Sequence, residues 1–207
     1  MTVPLSEEEK IKIINSDDLY KIMQQVLLRE NKIDRDKEHF WVAGLAVNNK
    51  LLFIELISLG SQTATIVSPM EVFSVALQKR ATSVILVHNH PTGALTPSEE
   101  DKNITDRLMV VGKIVDTPVL DHFIITEIEY LSFAKIGLLK ILTKSSKFLP
   151  TFMLEDEIKQ QISEKVRDKE KKEIAKALKR QKVTEEIIAQ STGLTIEEVR
   201  AIEIVGE

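Results

Sequence analysis

Residues 88–101 of the chain are HNHPTGALTPSEED, and they directly follow the apolar run SVILV at residues 83–87. A short, continuous run rich in β-branched residues is typical of a buried strand, so His88 and His90 stand at the end of a predicted strand. Side chains two residues apart on a strand point to the same side of the sheet. Both imidazoles can therefore reach one point in space, and that point is a candidate metal position.

The second half of this stretch predicts the start of a helix. Thr96 is the expected N-cap, Pro97 the first helical residue, and Glu99 completes a capping box. Asp101 falls one turn into this helix and shares a face with Ser98, because residues three apart are neighbours on a helix surface. Two imidazole nitrogens and one carboxylate oxygen leave a tetrahedral zinc one ligand short, which is typical of a catalytic site. The alternative, two solvated histidines followed by a capped helix, does not explain why all three groups share one geometry.

A family resemblance rests on these residues. The pattern His-x-His-Pro followed by Pro-Ser-x-x-Asp resembles the metal-binding motif of the JAB/MPN family, and its spelling at residues 88–101 is similar to the RadC branch. The similarity extends from about residue 39 to about residue 140, through GLAVNNKLLFIELISLGSQTATIVSPMEVFSVAL, LDHFIIT and YLSFAKIGLL. The resemblance implies an α/β fold, a JAB/MPN-like (cytidine-deaminase-like) curved mixed sheet flanked by helices, with residues 39–142 as the catalytic domain.

The resemblance also implies roles for single residues. His88, His90 and Asp101 correspond to the zinc ligands of the motif. In JAB/MPN enzymes a glutamate on the strand that corresponds to residues 51–58 orients the metal-bound water and takes its proton, and alignment of the Gly60-Ser61 segment places Glu55 at that position. Ser98, at the positive end of its helix, is expected to donate a hydrogen bond to the developing oxyanion.

Other interpretations of these residues stay open. Glu55 could be an outward-facing strand residue, since strands alternate between two faces. Glu71 is the chief rival as the base, although a capping box with Ser68 would explain Glu71 without catalysis. His122 is expected to be a neighbour of the site or a structural residue, and not a metal ligand.

The implied function is that of a zinc-dependent hydrolase that cleaves a peptide or isopeptide amide bond in a protein or peptide substrate. Two other classes of function stay open. One is a RadC-like factor of DNA repair or mobile elements whose JAB domain binds DNA or protein without proteolysis. The other is a non-catalytic, metal-stabilised scaffold. Full-length RadC proteins carry an N-terminal helix-hairpin-helix module, and residues 1–38 show no glycine-centred hairpin of that kind, which weakens the DNA-repair interpretation.

The composition is that of an ordinary globular protein. The chain has 207 residues, 43% of them hydrophobic and 29% charged, enough for one sizeable core and a smaller appendage. It has no cysteine, so a metal site must use nitrogen and oxygen ligands. The net charge of -4 argues against a uniformly basic surface for nucleic acid. No apolar run approaches the roughly 18 residues that span a bilayer and no signal-peptide pattern is present, so a cytoplasmic protein without membrane contact is expected.

Helices and strands alternate around the motif. Residues 1–38 are expected to be a lead-in and a helix that pack on the catalytic domain. The predicted elements, in chain order, are a loose lead-in over residues 1–14, a helix from Ser16, a hairpin around Asn48-Asn49, a helix over residues 69–79, the motif strand, the motif helix ending at Gly112, and strands over residues 119–126 and 130–133.

The composition changes in the tail, residues 155–207. Residues 155–182 contain many Lys and Glu and no Gly or Pro, which predicts a long exposed helix. Gly193 and a capping box of Thr195 and Glu198 then indicate helix, turn, helix. The tail is therefore predicted to be an α-helical appendage.

The second helix of the appendage is acidic at Glu197, Glu198 and Glu203, so docking or oligomerisation is expected in preference to DNA binding. The apolar residues of so small a unit need a partner surface. That surface is either the long helix folding back or a second molecule, and we favour a homodimer through the C-terminal helices.

Overall fold

The computed structural model describes residues 2–3, 5, 12–60 and 67–202. The chain divides into two compact units, residues 1–148 and 149–207. The elements, in chain order, are α1 (Ser16–Arg29), α2 (Lys32–Arg35), β1 (His39–Leu45), β2 (Leu51–Leu59), α3 (Pro69–Gln78), β3 (Ser83–Asn89), α4 (Glu99–Ile114), β4 (Val119–Ile125), β5 (Tyr130–Ser132), α5 (Leu138–Leu142), α6 (Thr151–Arg180), α7 (Glu185–Thr192) and α8 (Ile196–Ala201).

Among the described residues, the first unit has one sheet with the strand order β2-β1-β3-β4-β5. Neighbouring strands are antiparallel except β3 and β4, which are parallel because the crossover through α4 returns the chain to the same end of the sheet. The predicted hairpin of β1 and β2 is confirmed, and Asn49 at its turn takes the left-handed conformation, φ 60°, which Asn tolerates. The predicted α/β class with a mixed sheet is likewise confirmed.

Both faces of this sheet are covered, which explains the continuous apolar sequence of the central strands β1 and β3. One face packs on α1 through a cluster that includes Trp41 and Ile54. The opposite face packs on α3 and α4 through a cluster that includes Val42 and Leu86. A polar side chain on these strands must therefore be paired inside the protein or placed at a strand end.

The N-terminal segment is ordered at the residues that the structure describes. The Val3 amide donates to the Ile54 carbonyl oxygen at 2.9 Å, along the outer edge of β2. Lys12 forms a bridge with Lys50, and Ile13 is 6% exposed. The prediction of a loose lead-in is wrong at these residues, because their backbone groups complete hydrogen bonds of the hairpin.

The helix α1 agrees with its prediction. It begins at Ser16, after an Asn15 cap whose side chain accepts the amides of Asp17 and Asp18. Its buried residues recur at helical spacing, and they are Leu19, Ile22, Met23, Val26 and Leu27. The amphipathic pattern was therefore sufficient to identify the face that packs on the sheet.

The prediction that α4 ends at Gly112 is wrong, because Gly112 lies inside the helix, which continues to Ile114. A methyl group at this position would lie 2.7 Å from the Thr117 carbonyl oxygen and 3.2 Å from the Phe73 ring. The glycine therefore permits a close approach between α4 and the turn that follows it.

The capping box predicted at the start of α3 does not form among the described residues. Ser68 is the N-cap and Pro69 the first helical residue, as expected, but the Ser68 side chain makes no capping hydrogen bond. Glu71 is exposed in the first turn. A carboxylate is favoured there by the helix dipole alone.

The second unit is built on α6, a helix of 30 residues. It begins at Thr151, earlier than the predicted residue 155, and ends at Arg180. In the part of the chain that the structure describes, no helix has the length and apolar character of a membrane span.

The predicted helix, turn, helix is present in α7 and α8. Gly193 is left-handed with φ 70°, and Thr195 and Glu198 form the expected capping box. The apolar residues of α7 and α8, Ile188 among them, pack against Ala175 of α6. Of the two partner surfaces that the sequence left open, the structure therefore shows the long helix folding back on this face. The homodimer itself stays a prediction, and Glu203 lies outside the described residues.

Candidate metal centre

His88, His90 and Asp101 meet where β3 ends and α4 begins, and their candidate ligand atoms all lie within 4.8 Å of one another. His88 Nε2 is 2.9 Å from His90 Nε2 and 3.3 Å from Asp101 Oδ1. His90 Nε2 is 3.4 Å from Asp101 Oδ2. His88 and Asp101 are buried, while His90 is partly exposed. The structure thus brings together the three residues that the sequence analysis grouped.

The hydrogen bonding of His90 leaves its inner nitrogen free to bind a metal. His90 Nδ1 lies 2.7 Å from the Ala94 carbonyl oxygen, which can only accept, so Nδ1 carries the hydrogen. In the neutral ring Nε2 then has a lone pair that faces His88 Nε2. Two nitrogens at 2.9 Å are held together only when a hydrogen or a cation lies between them. Two imidazoles and a carboxylate therefore fit a divalent metal, and leave at least one coordination position for a reactant.

The charges of the cluster also favour a cation. Burial acts to raise the pKa of Asp101, but hydrogen bonds with His88 and His90 outweigh burial and hold that pKa well below its usual range. The hydrogen bond with Asp101 in turn raises the pKa of His90. A carboxylate that stays ionised between two imidazoles stabilises either a proton or a metal ion at the same point.

Metal uptake is expected to weaken as the pH falls. The raised pKa of His90 means that a proton occupies its ligand nitrogen already above the ordinary histidine value of about 6.5. Because that proton must leave before a metal binds, the apparent affinity should fall by about tenfold per pH unit below the pKa. Competition titrations with a chromophoric zinc chelator from about pH 8 to about pH 5.5 measure the slope. An affinity that does not change over this range would contradict the prediction.

Ser98 caps α4 and holds the candidate ligand Asp101. The Asp101 amide donates to Ser98 Oγ at 3.0 Å, and the Ser98 amide donates to Asp101 Oδ2 at 2.7 Å. The prediction that Thr96 is the N-cap, with Glu99 in its capping box, is wrong, because this reciprocal pair forms two residues later. Ser98 Oγ acts as an acceptor in the pair, so its own hydrogen is available for a ligand in the adjacent space.

Glu55 lies on the same face of the sheet as His88. It pairs with Val42 on β1, and Val42 pairs with Leu86 on β3, two residues before His88. Paired residues, and residues two apart on a strand, share a face, so Glu55 and His88 both point toward the layer of α3 and α4. Glu55 and His88 lie two strands apart in the sheet and are offset by two residues along the strand direction. Their Cα atoms are therefore about 12 Å apart.

Glu55 is buried, whereas Glu71, the alternative candidate for the general base, is exposed. Glu55 is 8% exposed, so the interpretation as an outward-facing strand residue is wrong. Glu71 is exposed at the start of α3. Neither glutamate belongs to the three-residue cluster found among the described residues. Of the two glutamates, Glu55 is the buried one, and it lies on the same sheet face as His88.

A cleft of about 350 Å³ opens beside His90. The loop that contains Pro91 and Gly93 forms one wall, and residues 126–129 between β4 and β5 form another. Arg35 lines the cleft and donates from Nη1 to Glu127 Oε1 at 2.6 Å. The cluster is therefore approached from solvent on the side of His90.

One known protein family matches the part of the chain that contains both the sheet and the three clustered residues. The family described as RadC-like JAB domain matches residues 13–138 of the chain. The chain belongs to the RadC-like JAB domain family. The resemblance inferred from residues 88–101 is thereby confirmed.

Curated relatives share this RadC-like JAB stretch. A UPF0758 protein of Caldanaerobacter subterraneus subsp. tengcongensis is 48% identical over 111 residues, which make up 54% of this chain and 48% of the relative. UPF0758 proteins of Syntrophomonas wolfei subsp. wolfei and Methanosarcina mazei are 43% and 42% identical, over 62% and 65% of this chain and 54% and 56% of their own lengths. The chain thus spans about half the length of the curated relatives it matches.

Two further side chains extend the cluster of this RadC-like JAB domain. His122 Nε2 is 2.8 Å from His88 Nδ1, and His122 Nδ1 is 2.6 Å from Thr105 Oγ1. The interpretation of His122 as a neighbour of the site agrees with this placement. Thr105 was missed, although it follows Asp101 by four residues and so shares its helix face. The Ala94 carbonyl was also missed, because a backbone group leaves no trace in residue type.

Proposed function

We propose that this RadC-like JAB domain is a zinc-dependent hydrolase that cleaves a peptide or isopeptide amide bond. The observation that carries the proposal is the meeting of His88, His90 and Asp101 at one point, with Glu55 buried on the same sheet face. Three protein ligands leave one position of a tetrahedral zinc for a reactant, whereas structural zinc sites use four protein ligands. The cleft beside His90 offers space for a substrate chain.

The residues of the site have distinct roles in this proposal. His88, His90 and Asp101 would hold the zinc, which acts as a Lewis acid on a carbonyl oxygen and makes a water molecule nucleophilic near neutral pH. Glu55 accepts a proton from the attacking water and later passes it to the leaving amine. Ser98 donates its hydroxyl hydrogen to the carbonyl oxygen as negative charge develops there. One water is consumed, and the products are a carboxylate and an amine.

Two sets of probes test this proposal on the purified full-length chain, namely internally quenched peptides and lysine isopeptides. Protein carrying about one zinc per chain is expected to cleave members of at least one set. Removal of zinc by a chelator should abolish cleavage, and added zinc should restore it. Zinc-loaded protein that cleaves neither set, or cleavage that a chelator does not affect, would contradict the proposal.

Ser98→Ala is expected to retain zinc and to lower the rate of amide cleavage by about a hundredfold, the effect of losing one oxyanion donor. The variant should also lose about 1 kcal/mol of stability, because the Asp101 amide loses its capping acceptor. Rates, zinc content and thermal unfolding are measured together. Thr96→Ala is the matched control, since Thr96 precedes the same helix without capping it. Loss of zinc together with the rate would mean that Ser98 acts only by supporting Asp101.

A DNA-associated role without proteolysis is the second candidate. The observation in its favour is a local excess of basic residues, nine Lys or Arg against three acids over residues 165–182. Against it, α8 carries Glu197 and Glu198, which phosphate groups repel. Binding to duplex DNA measured at two salt concentrations tests this role, because contacts with phosphates predict an affinity that falls steeply as salt is raised. Absence of binding at low salt would discard it.

A further inference from the structure

A chain of three hydrogen bonds connects the ligand on β3 to the ligand on α4. His88 Nδ1 is 2.8 Å from His122 Nε2, and His122 Nδ1 is 2.6 Å from Thr105 Oγ1. Thr105 Oγ1 donates to the backbone carbonyl oxygen of Asp101 at 2.5 Å. His88, His122 and Thr105 are fully buried. This series of hydrogen bonds therefore begins at the side chain of one candidate ligand, His88, and ends at the backbone of another, Asp101.

The direction of these hydrogen bonds follows from the last of them. A carbonyl oxygen only accepts, so the single hydrogen of the Thr105 hydroxyl is used on Asp101. His122 Nδ1 must then be the donor to Thr105 Oγ1. The His122 ring is fully buried, and the ring partners that the structure records, His88 and Thr105, include no carboxylate that would stabilise a charged ring, so the ring is neutral and its Nε2 accepts. His88 Nδ1 therefore carries the hydrogen, and His88 Nε2 is left with a lone pair.

We propose that His122 and Thr105 are positioning residues that hold His88 in the tautomer whose Nε2 can bind a metal. This inference rests on the metal site of the proposed function but not on hydrolysis. If the three hydrogen bonds ran in the opposite direction, a hydrogen would lie on His88 Nε2, at the point where the metal would bind. The Thr105 hydroxyl excludes that direction as long as it donates to the Asp101 carbonyl.

The surroundings of His122 hold its backbone and bury its ring beside two aromatic side chains. Asp121 Oδ1 accepts the His122 amide at 2.7 Å and the Ala134 amide at 2.9 Å, which fixes the backbone of β4 at this residue. The His122 ring lies 4.7 Å from the Phe133 ring and 5.5 Å from the Phe40 ring. Among the described residues, the polar partners that the structure records for the ring are His88 and Thr105.

Two substitutions of Thr105 distinguish the effect of its hydroxyl hydrogen bonds from the effect of the space that its side chain fills. Thr105→Val keeps the shape of the side chain and removes the hydroxyl, while Thr105→Ser keeps the hydroxyl and removes a methyl group. In the full-length chain, Thr105→Val is expected to weaken zinc binding by about tenfold to a hundredfold, as for the loss of a partner that orients a ligand. Thr105→Ser should stay within about threefold of the unmodified protein. The matched control is Thr117→Val, because Thr117 is buried in the same unit and its hydroxyl donates to the nearby Val115 carbonyl oxygen, away from the cluster.

The tautomers are observed directly in long-range ¹H–¹⁵N spectra of the histidine rings in metal-free protein. The unmodified protein and Thr105→Ser should show hydrogen on Nδ1 of both His88 and His122. Thr105→Val should shift His122, and with it His88, toward hydrogen on Nε2. A Thr105→Val protein with unchanged tautomers, or with zinc affinity equal to that of Thr105→Ser, would overturn the proposal.

The failure of the proposed function looks different from the failure of this inference. If the unmodified protein binds no zinc, the metal site is wrong, and the tautomers of metal-free protein still decide the role of Thr105 and His122. If the unmodified protein binds zinc and both Thr105 variants bind it equally well, the metal site stands and the positioning role is wrong.

Discussion

Glu55→Gln is expected to leave zinc bound and to slow amide cleavage by about a hundredfold or more, the contribution of a general base. Glutamine has nearly the shape of glutamate but cannot take a proton from the attacking water. Because Glu55 is not one of the clustered groups around the metal position, its neutralisation should leave the affinity for zinc intact. Zinc content and single-turnover rates on the best-cleaved probe are the measurements.

The matched control for Glu55→Gln is Glu71→Gln. Glu71 is the alternative carboxylate, and it is exposed at the start of α3. Its replacement should change the rate by less than about twofold, as for other surface substitutions. A full rate in Glu55→Gln together with a slow Glu71→Gln would transfer the role of the base to Glu71. A trapped substrate in the inactive Glu55→Gln protein would also identify the natural target.

His88→Ala is expected to reduce the zinc content from about one per chain to a level below detection. The substitution removes one of three ligands, and it also leaves His122 Nε2 without its donor in a fully buried position. A buried polar atom without a partner costs about 1–3 kcal/mol, so thermal unfolding of the metal-free protein should also begin at a lower temperature. Zinc is measured by atomic emission on protein passed through a desalting column.

His39→Ala provides the comparison, because His39 is also buried but stacks on Trp41 and lies outside the cluster. It should lose stability and keep zinc. If His39→Ala loses zinc as completely as His88→Ala, the metal content reports on folding and not on ligation. Unmodified protein that never carries metal would contradict both the hydrolase and the metal-stabilised scaffold.

Short local patterns predicted the elements that build the site. Residues 83–87 form an apolar β-branched run, and this run is part of a strand buried on both faces. Because the strand period is two, the sequence predicts His88 and His90 on one side of the sheet, and their Nε2 atoms lie 2.9 Å apart. The position of Asp101, by contrast, depended on a helix start that the pattern placed two residues too early.

That error has a physical cause. The sequence TPSEED contains two overlapping capping boxes, Thr96 with Glu99 and Ser98 with Asp101. Local propensity alone does not choose between them. In the folded chain Asp101 is buried beside His88 and His90, so the box that uses Asp101 gains interactions that Glu99, which is exposed, cannot have.

Sequence patterns could not predict the series of hydrogen bonds that links His88 to Asp101 through His122 and Thr105. Thr105 and His122 lie on different elements, and they meet only because β4 adds beside β3 in parallel, with His122 opposite Leu86. That register is a property of the crossover through α4 and not of any local run of residues. A polar residue four positions after a ligand was the one available indication.

The tight contact at Gly112 has a consequence for inactivating substitutions. Gly112 follows Asp101 by eleven residues on the same helix, a distance of about 16 Å along the axis. A side chain at residue 112 would place its Cβ 2.7 Å from the Thr117 carbonyl oxygen, so α4 and the turn that contains Thr117 must move apart, and a rigid helix that moves at one end also moves at the other. A single added methyl group at this position, remote from both histidines, is therefore expected to displace the carboxylate of Asp101 from His88 and His90.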